Sequence, residues 1–556
     1  MGNLLLFSLI ISLAVAVILV PFSKIDGKDA GLQRLAALLM TMLVVIIIVV
    51  FYYLSNLDRN FSSLWFFAIL VTATGAFFSF GKEQIVKAFL FVASLILGCY
   101  FILAPLFNAE EKYQLSQMNE KVEIEVFDED VTPASVPPQF ARNKMRKAFG
   151  QVPNTSYYEL GSLQIQKVNG AYVYVAPVEF SGLFKWWKGN MTPGYFRLSA
   201  TDSSANPTFI EAEMMYTPSS YFQKNIYRHI RNQYPQRIFK GSAQLEIDEN
   251  GNPYYIRTYG EFISARNGFE PSGIVSVNPK TGETLSYTLE EAPAFIDGAV
   301  SPEAVSLKNS YYGKYVNGFW NSLFGKSGVR LPSDEGTEAN VSPIFAGNGD
   351  MYYFTDFTSP KEGVDSMLGY SITNARTGEA TFYTGNQQKS YMDSAGALQI
   401  IEKKFIEKQW QGKMPILYNF YGEASWLTPV LDLNGFLQNY FIISAANPEI
   451  SVYADTPNQA LKKYKTALQR GGTSVDGTSK AEEKQLAGTV LRVYKENNED
   501  QTIVSFLLNN RQNYMISSQT EPLAIYLREG DEVQLTYLET GEAFLPVKEL
   551  VIVGLE

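Results

Sequence analysis

The chain is 556 residues long, with 46 Lys/Arg against 56 Asp/Glu, one histidine and one cysteine. Its net charge of −10 lacks the positive field that phosphate-rich partners require, which argues against nucleic-acid binding. The lone cysteine, Cys99, leaves the rest of the chain without disulfides or thiolate chemistry, and one histidine falls short of a zinc ligand set.

Residues 1–107 read as a four-helix transmembrane domain. Apolar stretches run from Leu4 to Phe22, Leu35 to Leu54, Leu64 to Phe80 and Gln84 to Phe107. Each is close to the ~20 residues that cross a ~30 Å hydrocarbon core, where only helices satisfy their own backbone. Met1-Gly2-Asn3 carries no Lys or Arg, so the first stretch reads as an anchor rather than a cleaved signal peptide. Lys87, close to a helix end, is expected to snorkel, and Thr72, Thr74 and Gly75 to let helices pack closely. The first and third loops carry Lys24, Lys28, Arg34, Lys82 and Lys87, whereas the second has Arg59 alone. By the positive-inside rule the two basic loops face the cytoplasm, and everything after Phe107 lies outside it.

Residues 108–138 read as a connector, acidic and then Pro-rich. Residues 139–470 then repeat one pattern four times. Each copy has a helix, a tight turn (Asn169-Gly170, Asn250-Gly251, Asn348-Gly349, Tyr421-Gly422), an apolar strand, and a second strand opening near Gly194, Gly273, Gly369 or Asn439. Asn-Gly between apolar runs signals a hairpin, because both residues tolerate positive φ. Two of the second strands end in Thr281-Gly282-Glu283 and Thr377-Gly378-Glu379, and the fourth in Asn447-Pro448-Glu449. These are expected to be structural turns. Each copy is therefore one helix followed by about four antiparallel strands. Thr456-Pro457 opens a further helix, residues 471–485 read as a linker, and residues 486–556 as a small β-barrel. The fold class is a membrane helical bundle plus α+β, with four helix-plus-antiparallel-sheet repeats and a C-terminal barrel.

The stretches Gly273 to Glu283 and Gly369 to Glu379 resemble the PepSY module of bacterial extracytoplasmic proteins. The match extends over roughly residues 130–455 and departs in the first copy, where Thr201-Asp202 takes the place of TGE. The whole layout is similar to a family of bacterial membrane proteins with four helices ahead of such repeats. The resemblance implies binding and regulation, of a peptidase or of surface assembly, and transfers no catalytic residue. The last 70 residues, with the Glu529-Gly530-Asp531 turn, look like an OB-fold. Their five Lys/Arg, six with Lys484 just before them, stand against eleven acids, which favours protein contact or self-assembly over nucleic acid.

Candidate chemistry is sparse. His229 borders the apolar face of its helix and reads as packing, and no GxSxG accompanies it. Asp248-Glu249-Asn250-Gly251-Asn252 fails as a calcium loop, because Tyr259 stands where the bidentate acid belongs. No catalytic, cofactor or metal residue is assigned, and the chain reads as a non-enzyme. Apolar loop residues need a cover, so Phe184, Trp186 and Trp187 in the first copy's long loop, with Trp320, are the candidate partner-binding residues. The expected partners are the bilayer, a protein whose identity the sequence leaves open, and a second copy of the chain. The functional expectation is a cell-envelope scaffold. A transport component is the alternative, weakened by the lack of mid-membrane acids, and a carboxylate-based hydrolase of glycans is a third reading.

Overall fold

The computed structural model describes residues 2–21, 30–122, 136–263, 265–334, 336–337, 340–345, 349–361, 363–385, 389–470, 482–498, 501–518, 520–539 and 543–555. It divides into two compact units. The first comprises residues 1–120, 138–364 and 368–383, and the second 121–137, 365–367 and 384–556.

The first unit begins with α1 (Gly2–Leu19), α2 (Ala30–Ser55), α3 (Trp65–Phe78) and α4 (Gly81–Leu115). These account for four segments long and apolar enough to cross a membrane. Small residues bring the helices together as expected. Gly75 lies directly against the Ile18 backbone, and Thr72 bonds Ser94 across α3 and α4 at 2.8 Å. Thr74 instead stays exposed and bonds its own helix at Leu70 O. Lys87 does not snorkel. Because α4 starts at Gly81, Lys87 falls in its second turn, where its Nζ donates to Val20 O at the end of α1 (2.7 Å) and pairs with Glu83 (2.6 Å).

The expected boundary at residue 107 falls inside a helix. At about 1.5 Å per residue, α4 is about 52 Å long and outruns the hydrocarbon core. Its last turns enter the soluble part of this unit: Asn108 donates to Ile263 O and to Asn267 Oδ1 (2.8 Å), and Ala109 shares a core with Ile263, Tyr311 and Tyr315. Part of the predicted connector is thus buried helix, and residues 123–135 lie outside the described residues. The α2–α3 loop meets the same soluble part. Asp58 takes a bidentate pair from Arg266 (2.6 and 3.1 Å), Arg59 Nη2 donates to Asn232 Oδ1 (2.8 Å), and Arg231 Nε donates to Asn56 O (3.2 Å).

The remaining helices of this unit are α5 (Pro138–Lys147), the short α6 (Leu183–Gly189), α7 (Ile226–Gln233), α8 (Pro302–Lys314) and a one-turn α9 (Gly318–Trp320) that runs into a π-turn, Asn321–Gly325. Between them lie three antiparallel sheets of one design. A long strand (Ala171–Phe180, Pro253–Phe262 or Met351–Thr358) is flanked on one side by two short strands in tandem. On its other side run two further strands in succession, to which the third sheet adds a sixth strand, Asn119–Lys121. In the second and third sheets the first short strand of the pair in chain order is the one that sequence periodicity passed over; Ile238–Phe239 and Leu331–Pro332 are only two residues long.

Helices lie between sheets. Ile226 and Ile230 of α7 share one core with Val173, Val175 and Tyr195 of the first sheet and with Leu245, Tyr255 and Val275 of the second. On α8, Tyr312 packs on Phe357 and Phe382 of the third sheet, and Lys308 pairs with Glu270 of the second. The turns differ in their means. Asn169 and Gly170 both take positive φ (51° and 80°). In the second repeat only Gly251 does so, and Asp248 Oδ1 closes a longer turn by accepting from Asn250 and Asn252 N–H. Asn348 lies outside the described residues. At the TGE turn, Gly282 is left-handed (φ 80°), Asn278 Oδ1 accepts from Lys280 and Thr281 N–H, and Glu283 points to solvent.

The second unit holds the fourth copy of the design, with α10 (Ser394–Lys404) and the long strand Glu423–Leu431 flanked by Ile416–Phe420 and Gln411–Gly412. Its turn, Tyr421-Gly422, is left-handed at both residues. The helix predicted at Pro457 is α11 (Pro457–Arg470), capped by Thr456 Oγ1 and packed through Tyr464 on Tyr440 and Ile442. A closed five-stranded barrel follows, from Glu482–Asn498 to Phe544–Ile552, with one parallel pairing, Asn513–Ser517 against the last strand. It begins four residues before the expected boundary; residues 471–481 of the predicted linker lie outside the described residues.

Candidate functional site

The first repeat gathers three of the four predicted aromatics. They lie not in a loop but on α6, which follows Gly182 and closes at Asn190 in positive φ. Phe184 is 83% exposed and Trp187 68%, whereas Trp186 is half-buried against Tyr221 and Phe222, 5.7 Å from each ring. Phe222 holds φ +52°, a conformation costly for a bulky residue, and is itself 47% exposed. Two lysines border the patch, and Lys185 Nζ bonds Ser181 Oγ at 2.7 Å. Trp320 belongs to a different patch. It stacks on Phe324 at 6.0 Å, both largely exposed, while its neighbour Phe319 packs with Ala109 and Tyr113 of α4.

A pocket of 270 Å³ opens in the same repeat, lined among others by Glu159, Glu179, Ser219 and Tyr255. Glu159 and Glu179 are direct cross-strand partners, so both side chains leave the same face. Glu179 is buried, accepting from Tyr255 OH (2.8 Å), Ser219 N–H (3.0 Å) and the Ser219 hydroxyl. Burial raises its pKa, opposed by those hydrogen bonds. Gly161 makes the room: a Cβ there would meet Glu179 Cγ at 2.7 Å. Sequence reading missed this pair because twenty residues separate its members; an acid within the apolar run Ala171–Phe180 was the available signal.

A second carboxyl pair lies deeper. Glu246 and Asp297 face each other electrostatically; burial raises both pKa values, that of Asp297 to about 6. Glu246 Oε1 accepts from Gly298 N–H, and Oε2 has no partner among the described residues. His229 matches its structural reading. Its Nε2 lies 2.7 Å from Gly282 O and 3.1 Å from Thr284 Oγ1, its ring rests on Tyr216, and burial lowers its pKa. It thereby braces the TGE turn of the second repeat.

No protein-family model and no curated protein matches the chain. Among solved structures it is similar to a Trypanosoma rangeli sialidase at 11% identity, covering 71% of this chain and 55% of that one, with a TM-score of 0.16. It is also similar to a second sialidase (10% identity, 79% and 48% covered, 0.16) and to a Bombyx mori GH32 β-fructofuranosidase (9%, 75% and 70%, 0.15). The chain thus spans about half the length of the two sialidases. The expectation of a non-enzyme is corrected by these neighbours, which are glycosidases. At such TM-scores they establish neither a shared fold nor an activity for this chain.

Proposed function

We propose that the chain is a membrane-anchored scaffold of the cell envelope that presents its repeats to a protein partner and modulates a peptidase or an envelope assembly. The observation that carries this reading is the exposed α6 patch of Phe184 and Trp187. Two rigid aromatics held out of the core, rimmed by lysines, have the chemistry of binding hot spots. The PepSY-like repeat and an OB-like barrel belong to the same reading, supported by four sheets of one design and by a closed five-stranded barrel. Trp320 and Phe324, beside the emerging end of α4, are assigned to the headgroup belt of the bilayer, where Trp and Lys are favoured. A photo-crosslinking residue at Trp187 in cells tests the scaffold. A discrete protein adduct, absent when the same probe replaces exposed Leu433, is expected; lipid adducts alone would overturn the reading.

The soluble part is placed outside the cytoplasm, on the five-to-one bias of basic residues among the loops. With Cys99 changed to Ala, Leu433→Cys should react with an impermeant maleimide on intact cells. Protection until lysis would reverse the placement.

The Glu159–Glu179 pocket favours a second reading, carboxylate-based glycan hydrolysis. One carboxyl in solvent beside one whose pKa burial raises is the pairing that acid–base cleavage uses. Turnover of cell-wall glycans by the purified chain, abolished by Glu179→Gln with unchanged melting, is the outcome this reading requires. No turnover by the wild-type chain rejects it.

A further inference from the structure

A 410 Å³ cavity lies where the α2–α3 loop meets the second repeat. Two independent helices fix its height. Its lining starts at Ser55, the last residue of the apolar span of α2, and includes Asn267, which bonds Asn108, the first polar residue after the apolar stretch Gln84 to Phe107 of α4. Both are polar positions that follow apolar stretches of about 20 residues, the length after which hydrocarbon gives way to headgroups.

The lining is strongly cationic. Arg231, Lys240, Arg257 and Arg266 oppose a single carboxylate, Asp58, leaving three positive charges in excess. Asp58 is already engaged by the bidentate pair with Arg266. Arg231 spends its donors on carbonyl oxygens, those of Asn56, Tyr234, Pro235 and Arg237. Among the described residues Arg257 bonds only Gly241 O, through Nε at 3.3 Å, and its guanidinium lies 4.9 Å from the Tyr227 and Phe239 rings. Among the described residues no carboxylate lies within ion-pair distance of it. Burial lowers the pKa of both Arg231 and Arg257 to about 10, marking charges withdrawn from water that the more distant carboxylates Asp58 and Glu303 offset only in part. Such groups are strongly destabilising unless an anion compensates them. Planar guanidinium donors match phosphate oxygens, and Leu57 and Phe262 add apolar surface to the lining.

We propose that this cavity holds the phosphate of an anionic phospholipid headgroup, with Arg257 as the principal ligand and Lys240 and Arg231 completing the charge. This site is independent of the partner surface on α6 and of the reading built on it.

The test uses the full chain, purified in detergent and delipidated, titrated with short-chain phosphatidylglycerol, phosphatidylcholine or inorganic phosphate. Thermal unfolding and native mass report the binding. Phosphatidylglycerol should raise the melting temperature saturably and remain bound as one molecule per chain, whereas phosphatidylcholine should not. Arg257→Gln should weaken binding tenfold or more. Should that variant fail to fold, Lys240→Gln should weaken it severalfold. Response to inorganic phosphate but not to the lipid would assign the cavity to a free anion and overturn the lipid. Equal response to both phospholipids, or unchanged affinity in the variants, would overturn the site.

Discussion

The barrel and the repeats solve the same burial problem in opposite ways. Every residue of the barrel core, from Val490 to Ile552, belongs to the barrel or to the short 3-10 turn and loop beside it. The first repeat has no such independence: its core is completed by α7 and by Leu245, Tyr255 and Val275 of the second sheet. A closed sheet hides both its edges and its interior, while an open sheet with one apolar face must borrow a cover. Damage in the barrel should therefore stay local, and damage between repeats should spread.

The largest effect is expected at Gly194, whose φ of 156° and close approach to Ile210 O admit no side chain. Gly194→Val should unfold the first and second repeats together, a loss above about 3 kcal/mol. Chymotryptic cutting within residues 164–277, with the barrel resistant, would show it. The two TGE turns sharpen the comparison. At Gly282 (φ 80°) a Cβ would meet the Tyr216 ring at 2.6 Å, whereas at Gly378 (φ 76°) its nearest neighbour is Val300 Cγ2 at 3.4 Å. Gly378→Ala should cost the ~1–2 kcal/mol of a left-handed alanine, and Gly282→Ala distinctly more, by comparison of denaturant midpoints. Equal losses would remove the packing role of Tyr216.

The Asp297 carboxyl, raised to about 6 by burial, gives a pH dependence of definite sign. The folded state holds this proton more tightly than the unfolded state, so the stability it contributes is present below about pH 4 and is lost as pH rises to about 6. Asp297→Asn should flatten the unfolding midpoint over that window. The smallest effect belongs to the barrel surface. Arg492–Glu529 is a solvent-exposed pair at 2.8 Å, and Glu529→Gln should shift barrel stability by less than about 1 kcal/mol.

Much of this architecture was legible from patterning. Turn chemistry placed Asn169-Gly170 and Tyr421-Gly422, and alternation placed Asn513–Ser517 of the barrel residue for residue. Hydropathy found the four apolar helices but ended the last one at Phe107, because Asn108, Glu110, Glu111 and Lys112 are polar; helix and burial continue there against Tyr311. The helix α6 escaped because seven residues are too few for the Lys185/Lys188 spacing to declare a helical period, and Gly182 offers no capping side chain. The two pockets escaped for a different reason. Glu159 and Glu179 meet by strand register, and Asp58, Arg231, Arg257 and Arg266 meet only when α2, α7 and the second sheet converge. No local pattern encodes such convergence.

Hydrogen exchange on the full chain carrying Ile230→Ala tests the shared core most directly. Truncating this fully buried side chain removes roughly 2–5 kcal/mol. The account predicts that strands Ala171–Phe180 and Thr192–Ser199 lose protection together with Pro253–Phe262 and Phe269–Val277, while residues 490–552 keep theirs. Loss confined to one of the two sheets would contradict it, and the repeats would then be independent modules.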